Sequence, residues 1–458
     1  LSGGRIAVVG GGLAGLAAAL ECADAGAEVT LYEARTRLGG ATFSVQRRDH
    51  RIDNGQHVFV RACNAYLAFL ERLGVGELVS LQPRLRVPVL REAGRPALLR
   101  RNGLPAPLQL LPSLLRYRPL SAGERLAALR AAAAMRRLDP EDRSLDEQSF
   151  AEWLRGHGQS ERAVSALWEL IALATLNVRA VDASLASALK VFQTALLEST
   201  DGGDIGVAAV PLQKLHGEAA GTALAEAGVR VELGAAVRAV ASERGGFRLE
   251  LARGIEESDS VICAVPHQAA SGLLPAGAVD TGALERLGSS PIVNLHLHYD
   301  RTVLAEPMVA ALDSPVQWMF DRTSASGVAR GQLVAVSISA AVDEIRLPLR
   351  ALRERFVPAI ARLLPGAAKA ELLDLAVTRE PRATFRAVPG SRRLRPAART
   401  DLPGLYLAGA WTDTGWPATM EGAVRSGLAA AELSLANLAG ASSVRARSAL
   451  APLPEGAS

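Results

Sequence analysis

The first sixty residues alternate between two kinds of apolar spacing. Ile6-Ala7-Val8-Val9 is an unbroken run of strand length, residues 13–26 carry leucine and alanine at helical spacing, and Val29-Thr30-Leu31-Tyr32 is a second strand-like run. Gln56-His57-Val58-Phe59-Val60 follows, and then a helical stretch that closes at Gly74. Residues 79–204 read as mostly helical, with helices predicted over 122–138, 148–157, 161–175 and 183–198 and a break at Asp201-Gly202-Gly203-Asp204. Pro211 opens a helix that ends at Gly228. Strand spacing returns at 229–233, 236–242, 247–251 and 260–265, and again at 293–300, 316–320 and 333–341. A helix is expected over 347–364, and the alanine-, serine- and proline-rich residues past about 440 read as a disordered tail.

Chemistry enters where the first strand meets the first helix, at Gly10-Gly11-Gly12-Leu13-Ala14-Gly15. A lone GxGxxG is weak evidence, but this one follows a strand, opens a helix, and has Glu33 at the end of the next strand. Gly10 permits the tight turn, Gly12 leaves room for a pyrophosphate, and Gly15 lets helix and strand pack closely. The helix N-terminus offers free N–H groups to phosphate. Glu33 suits a ribose 2′-OH and repels a 2′-phosphate. Arg37-Leu38-Gly39-Gly40 then adds a charged, close-approach surface beyond the adenosine side, a surface arginine being the alternative for Arg37.

The far end carries a second motif. Leu405-Tyr406-Leu407-Ala408-Gly409 reads as a buried strand stopping at glycine, and Pro417 through Gly427 as a helix start with one face of small residues. No second GxGxxG and no internal repeat appears.

Length and composition narrow the class. The chain has 458 residues, enough for two or more domains, with 49% hydrophobic and 21% charged residues. Net charge is +4, yet only Lys190, Lys214 and Lys369 of the 51 basic residues are lysine. That skew reads as compositional bias, and no basic run with interleaved aromatics points to nucleic acid. Cys22, Cys63 and Cys263 form no CxxC, which argues for a reducing compartment and against a cysteine metal site. No leader precedes the first strand and no apolar run reaches membrane-span length, so the expectation is a cytoplasmic protein, soluble or peripheral at the inner face of the membrane.

Four smaller features each have two readings. Asn294, His296, His298 and Asp300 share one strand face; no third ligand spacing supports a metal, so an ordinary polar sheet face is expected. In Asp53-Asn54-Gly55-Gln56-His57, Gly55 suggests close approach to a ligand and Asp53 is a ligand-side or a turn residue. Glu169 faces a substrate cavity or solvent. Residues 104–118, leucine-rich with Arg116 and Arg118 behind, form an interfacial segment or pack into the core.

These motifs resemble the flavin amine oxidase and carotenoid desaturase superfamily. Asp53–His57, Leu167-Trp168-Glu169, Leu176-Asn177, Pro291-Ile292-Val293-Asn294, Gln317–Arg322, Ser337–Ala341 and Ala408–Thr419 look more narrowly like the hydroxysqualene dehydroxylases, over about residues 5 to 438. The resemblance implies an α/β fold: a GR2-like Rossmann-type FAD-binding domain with a parallel sheet, from residues 1–78, 205–275 and 396–438, and a discontinuous α+β substrate domain from 79–204 and 276–395, with 439–458 as the tail. It implies FAD held by Gly10, Gly12, Leu13, Ala14, Gly15, Glu33, Ala34, Arg37, Gly39, Gly40, Gly55, Val237, Gly409, Ala410, Asp413, Thr419 and Met420, and no metal. Many members are acidic where this chain has Ala410, so the ribityl contact is lost or falls to Asp413. It also implies reductive loss of the hydroxyl of hydroxysqualene to give squalene for hopanoid synthesis, with electrons from an external donor. His57 is the leading candidate to assist hydroxyl departure as an acid, with Gln56 beside it and Glu169 next. A phytoene-type desaturase, or a flavin-bound accessory protein of a polyprenoid synthase, is the alternative.

Overall fold

The computed structural model describes residues 4–449 except 93 and 244, with side chains as far as 440. Five short strands form a parallel sheet in the spatial order Arg230–Leu233, Glu28–Glu33, Arg5–Val9, Ser260–Cys263, Leu405–Leu407. Alternation along Arg5–Val9 decides what covers each face. Ile6 and Val8 pack with the Leu13–Asp24 helix, the Asn64–Arg72 helix and the helix beginning at Met420. Ala7 and Val9 face Val240, Phe247 and Leu249 of an antiparallel three-stranded sheet over Val237–Ser258. The strand order turns about Arg5–Val9, and in such sheets ligands bind at the carboxyl ends beside that turning point.

A second, seven-stranded sheet has the order Leu372–Thr384, Ser290–Tyr299, Gln332–Ser339, Trp318–Asp321, Met308–Leu312, Arg86–Arg91, Ala97–Arg100. Val293, Leu295, Leu297 and Tyr299 bury one face against Leu352, Phe356 and Ile360 of the Leu349–Leu363 helix. The stretch expected to be mostly helical therefore also holds the strands Val79–Leu81, Arg86–Arg91 and Ala97–Arg100. Arg86–Arg91 is flanked by arginines and carries Pro88, so its composition hides it; antiparallel pairing with Ala97–Arg100 and parallel pairing with Met308–Leu312 hold it. The hairpin Ser44–Arg47 and His50–Asp53, the strand Ile205–Ala208 and the long strand Leu372–Thr384 were not among the expected elements either.

The helical layer follows the periodicity more closely, as Ala122–Met135, Phe150–Gly156, Glu169–Leu176 and Leu185–Phe192. Three π-helical segments, Val164–Trp168, Gln193–Leu197 and Gln213–Glu218, interrupt it. Single π turns of this kind gather at functional sites. The last helix continues to Ala449, beyond the expected start of the tail at 439; residues 450–458 lie outside the described residues.

Candidate active site

The two glycine motifs, nearly four hundred positions apart, converge at the carboxyl ends of the parallel sheet. Gly10 has φ +112°, and a Cβ there would lie 2.7 Å from the Ala264 carbonyl oxygen, so only glycine fits that turn. A Cβ on Gly15 would collide with the Gly10 carbonyl, which is the close helix–strand packing the spacing predicts. Gly12 differs: a Cβ there would meet only the Gly40 Cα, 3.8 Å away. The backbone at Gly12 is thus open on the side where a pyrophosphate is expected. No side chain caps the helix that starts at Leu13, so its first-turn N–H groups at Leu13 and Ala14 are not spent on a side-chain cap.

Glu33 fastens this loop. Its carboxylate accepts from the Gly11 N–H at 2.7 Å and from the Arg35 N–H at 2.8 Å, beside exposed Ala34, and its remaining lone pairs are free for ribose hydroxyls. The Gly39 N–H donates to the Gly11 carbonyl at 2.9 Å, and a Cβ on Gly40 would lie 2.6 Å from the Gly12 Cα, so the two glycine loops stack backbone on backbone. Arg37 donates to the Gly40 carbonyl at 3.1 Å and lies over the Phe43 ring. The Ala235 N–H donates to the Glu33 carbonyl at 2.9 Å, which brings half-buried Val237 to the same end of the sheet.

From the far end, the Gly409 N–H donates to Ser426 Oγ at 2.7 Å, and Gly427 packs against the Ala14 carbonyl. Thr419 Oγ1 accepts from the Gly422 N–H at 3.1 Å and so caps the helix that begins at Met420. Half-buried Ala410 offers no carboxylate. The Asp413 carboxylate accepts from the Gly415 N–H and stands 3.8 Å from Arg392 Nε, in a separate pocket also lined by Lys190 and Arg395. Asp413, the alternative expected for the missing ribityl contact, thus sits beside an arginine. An open glycine cradle, an uncapped helix N-terminus and Glu33 together fit a dinucleotide such as FAD.

The Asp53–His57 segment joins this end of the molecule to the second sheet. Asp53 ends the His50–Asp53 strand, and its buried carboxylate takes Arg322 Nη2 at 3.0 Å, Ser44 Oγ at 2.6 Å and the Leu212 N–H at 3.0 Å. Asp53 is therefore no simple turn residue: it is the counter-charge of a buried arginine. The polar strand face expected around Asn294 exists and covers this segment. Asn294 donates to the Asn54 carbonyl at 3.2 Å, Thr378 to the same carbonyl at 2.8 Å, and His296 meets Thr378 at 3.3 Å. Among the described residues no group of His, Cys, Asp or Glu is placed to hold a metal. The approach to Gly55 is made by Asn294, whose amide nitrogen would lie 3.3 Å from a Cβ there.

A small cavity lies against Gln56 and His57, lined also by Val58, Val207, Ala208, Leu212, Phe320, Asp53 and Arg322. His57 Nδ1 lies 3.2 Å from the Gly55 carbonyl. A carbonyl only accepts, so the proton is on Nδ1 and Nε2 presents a lone pair. Burial, opposed by the Gly55 carbonyl and Asp53, holds the imidazole below its ordinary pKa. A neutral imidazole in this tautomer accepts a hydrogen bond at Nε2, whereas the acid role expected of His57 needs a proton on that nitrogen.

Glu169 does not line this cavity. Its carboxylate accepts from the Ala180 N–H and pairs with Arg179, both at 3.3 Å. The spacing along its helix was equally compatible with either placement. Arg322 and His216 were missed. His216 is fully buried, bonded to Tyr66 Oη at 2.8 Å, and burial pulls its pKa down to about 3. Arg322 was visible only as the last residue of the family-like stretch Gln317–Arg322, directly after the strand Trp318–Asp321, with no role attached to it.

The family profile described as flavin containing amine oxidoreductase matches residues 13–434. The hydroxysqualene dehydroxylase of Rhodopseudomonas palustris is 30% identical over 94% of this chain and 98% of its own. The zeta-carotene desaturase of a Synechocystis species is 26% identical over 95% and 98%. A solved oxidoreductase from Methanosarcina mazei shares the fold with a TM-score of 0.73 at 17% identity, over 93% of this chain and all of that one. With its converging glycine motifs and near full-length likeness, the chain belongs to the flavin containing amine oxidoreductase family, as an FAD-dependent oxidoreductase among the hydroxysqualene dehydroxylases.

Proposed function

We propose that this protein removes the hydroxyl group of hydroxysqualene reductively, releasing squalene and water. One observation carries the reading beyond the family: the His57 cavity sets the polar groups of Asp53, Gln56, His57 and Arg322 beside the apolar side chains Val58, Val207, Ala208, Leu212 and Phe320. That is the complement of one hydroxyl on a hydrocarbon chain. Val207 of the lining, together with Leu110, Leu114, Leu167, Leu196 and Trp318, is partly buried and packs against one apolar cluster that also holds Phe320. A carotenoid precursor has no hydroxyl and leaves those polar groups without a partner.

Leu13, Ala14, Gly12, Glu33, Arg37 and the Met420 helix start would hold FAD, which when reduced supplies the hydride equivalent the reaction needs. Overall, alcohol, hydride and one proton give hydrocarbon and water. His57 Nε2 accepts the hydrogen of the substrate hydroxyl and so orients its oxygen. The single dinucleotide fingerprint would be taken by FAD, so electrons would enter from an outside reductase or free nicotinamide. Substrate reaches the site from a lipid surface. Leu104, Leu108 and Leu115 are 42%, 47% and 52% exposed beside exposed Arg116 and Arg118, which suits insertion with anionic headgroups at the rim. No helix among the described residues is long and apolar enough to cross a membrane.

The test is to incubate flavin-loaded protein and dithionite separately with hydroxysqualene and phytoene and identify products. Squalene from the first alone is expected. Conversion of phytoene with oxidised flavin would replace this reading with the desaturase one. Sedimentation with anionic vesicles, reduced in Leu108→Asp and Leu115→Asp variants, tests the surface.

A further inference from the structure

The cavity beside His57 is lined by two residues with buried nitrogen donors that no described residue pairs, Gln56 Nε2 and Arg322 Nε. Buried donors are almost always paired, and both residues line this one small cavity, where an acceptor oxygen would give each donor a partner. Arg322 is 6% exposed, and its other nitrogens are committed. Nη1 donates to the Ala208 carbonyl at 2.6 Å, and Nη2 to Asp53 at 3.0 Å and to the Val210 carbonyl at 3.5 Å. The guanidinium cannot turn away without leaving Asp53, so the position of Nε is fixed by the fold.

We infer that Arg322 and Gln56 form the receptor for the substrate's hydroxyl oxygen, and that Arg322 carries the charge on that oxygen as it leaves. The inference rests on the dehydroxylation reading above. It names the chemistry of leaving-group departure that His57 does not provide. Hydroxide is a poor leaving group and needs either a proton or a fixed positive charge. A guanidinium stays charged and does not give up its proton. The C–O bond would break with its electron pair going to oxygen, and bound reduced FAD would supply the hydride equivalent that carbon needs. The oxygen, held at Arg322 Nε and Gln56 Nε2 as hydroxide, would take up the reaction's one proton from a solvent acid (hydronium or buffer acid) on release and leave as water. Fixed donors favour such developing charge.

Binding separates this inference from the reading it rests on. Oxidised, flavin-loaded protein is titrated with hydroxysqualene and with squalene, following the flavin absorption. Wild type is expected to prefer the hydroxylated chain by about ten- to hundred-fold, the scale of a charged hydrogen-bond partner. Gln56→Leu should cut the preference several-fold and Arg322→Lys should abolish it, with squalene affinity unchanged in both. If Arg322→Lys does not fold, Gln56→Leu alone carries the test. A wild type that turns over hydroxysqualene but binds both chains equally overturns the inference and leaves the reading standing. A wild type that turns over neither but shows the preference, lost in the variants, overturns the reading and keeps the hydroxyl receptor. Flavin-loaded variants that keep the full preference overturn the inference.

Discussion

The Asp53 carboxylate and the Arg322 guanidinium meet at 3.0 Å across 269 positions of sequence, and both side chains are buried, at 5% and 7% exposure. Through this pair the segment that follows the dinucleotide strands is fastened to the second sheet, and Gln56 and His57 are fixed beside it. Asp53→Ala would leave a buried guanidinium without its counter-charge. We expect a loss of about 3–5 kcal/mol in urea unfolding. A loss within the range of an ordinary surface substitution would show that the pair does not hold the two parts together.

Gly12 and Gly15 predict opposite phenotypes. No described residue crowds a side chain on Gly12, whereas one on Gly15 strikes the Gly10 carbonyl. Gly12→Val should fold, with wild-type circular dichroism, and lose flavin. Gly15→Val should lower the melting temperature of the flavin-free protein. Retention of stoichiometric flavin in Gly12→Val contradicts the proposed cradle.

His57 is expected to act as a lone-pair acceptor with a lowered pKa, since burial disfavours its charged form. Protonation would remove that lone pair, so turnover per bound flavin should fall only as pH drops below about 6.5, and stay flat above it. A rate that falls as pH rises through this range would restore the acid role. His57→Ala should retain flavin and slow turnover, with His57→Gln recovering part of the loss. Glu169→Gln should leave turnover per flavin unchanged.

Burial holds two further histidines neutral in the fold, His216 with a pKa of about 3 and His296 of about 4, against an unfolded value of about 6.5. Below pH 6.5 the unfolded chain binds protons that the native chain does not. Their contribution to stability is therefore whole above 6.5 and is lost as pH falls toward 4 and then 3. Each histidine gives up about 1.4 kcal/mol for every pH step of one between its unfolded and folded values. Urea midpoints at pH 7 and pH 5 should differ less in His216→Gln and His296→Gln than in wild type. Equal differences in all three would place the acid sensitivity in other groups.

Glu421 is fully buried and accepts from the Ala65 and Tyr66 N–H groups at 3.2 and 2.7 Å, at the start of the Asn64–Arg72 helix, while Arg425 donates to it at 2.6 Å. Its place in the C-terminal motif is thus structural. Glu421→Gln keeps the two N–H bonds at one oxygen at most, and we expect it to lower stability by about 1–3 kcal/mol. Unchanged thermal unfolding would rule out this capping role.

The sequence by itself determined the dinucleotide end of the molecule. There, function depends on backbone: glycines at Gly10, Gly12, Gly15 and Gly40, a helix start, and one carboxylate at a fixed distance along the chain. Local spacing encodes all of these, and each falls where the pattern puts it. The helices of the intervening layer were legible for the same reason, since their 3.6-residue period is local. The catalytic end was not legible. His57 was visible, but its tautomer and charge follow from the Gly55 carbonyl and from burial, which only the fold supplies. Asp53 and Arg322 form one unit because strand pairing over long separations brings them together. Arg86–Arg91 joins the second sheet by pairing on one edge with a strand more than two hundred residues away. Such contacts leave no period in the chain, so their positions were decided by tertiary packing and by the need to pair every buried charge.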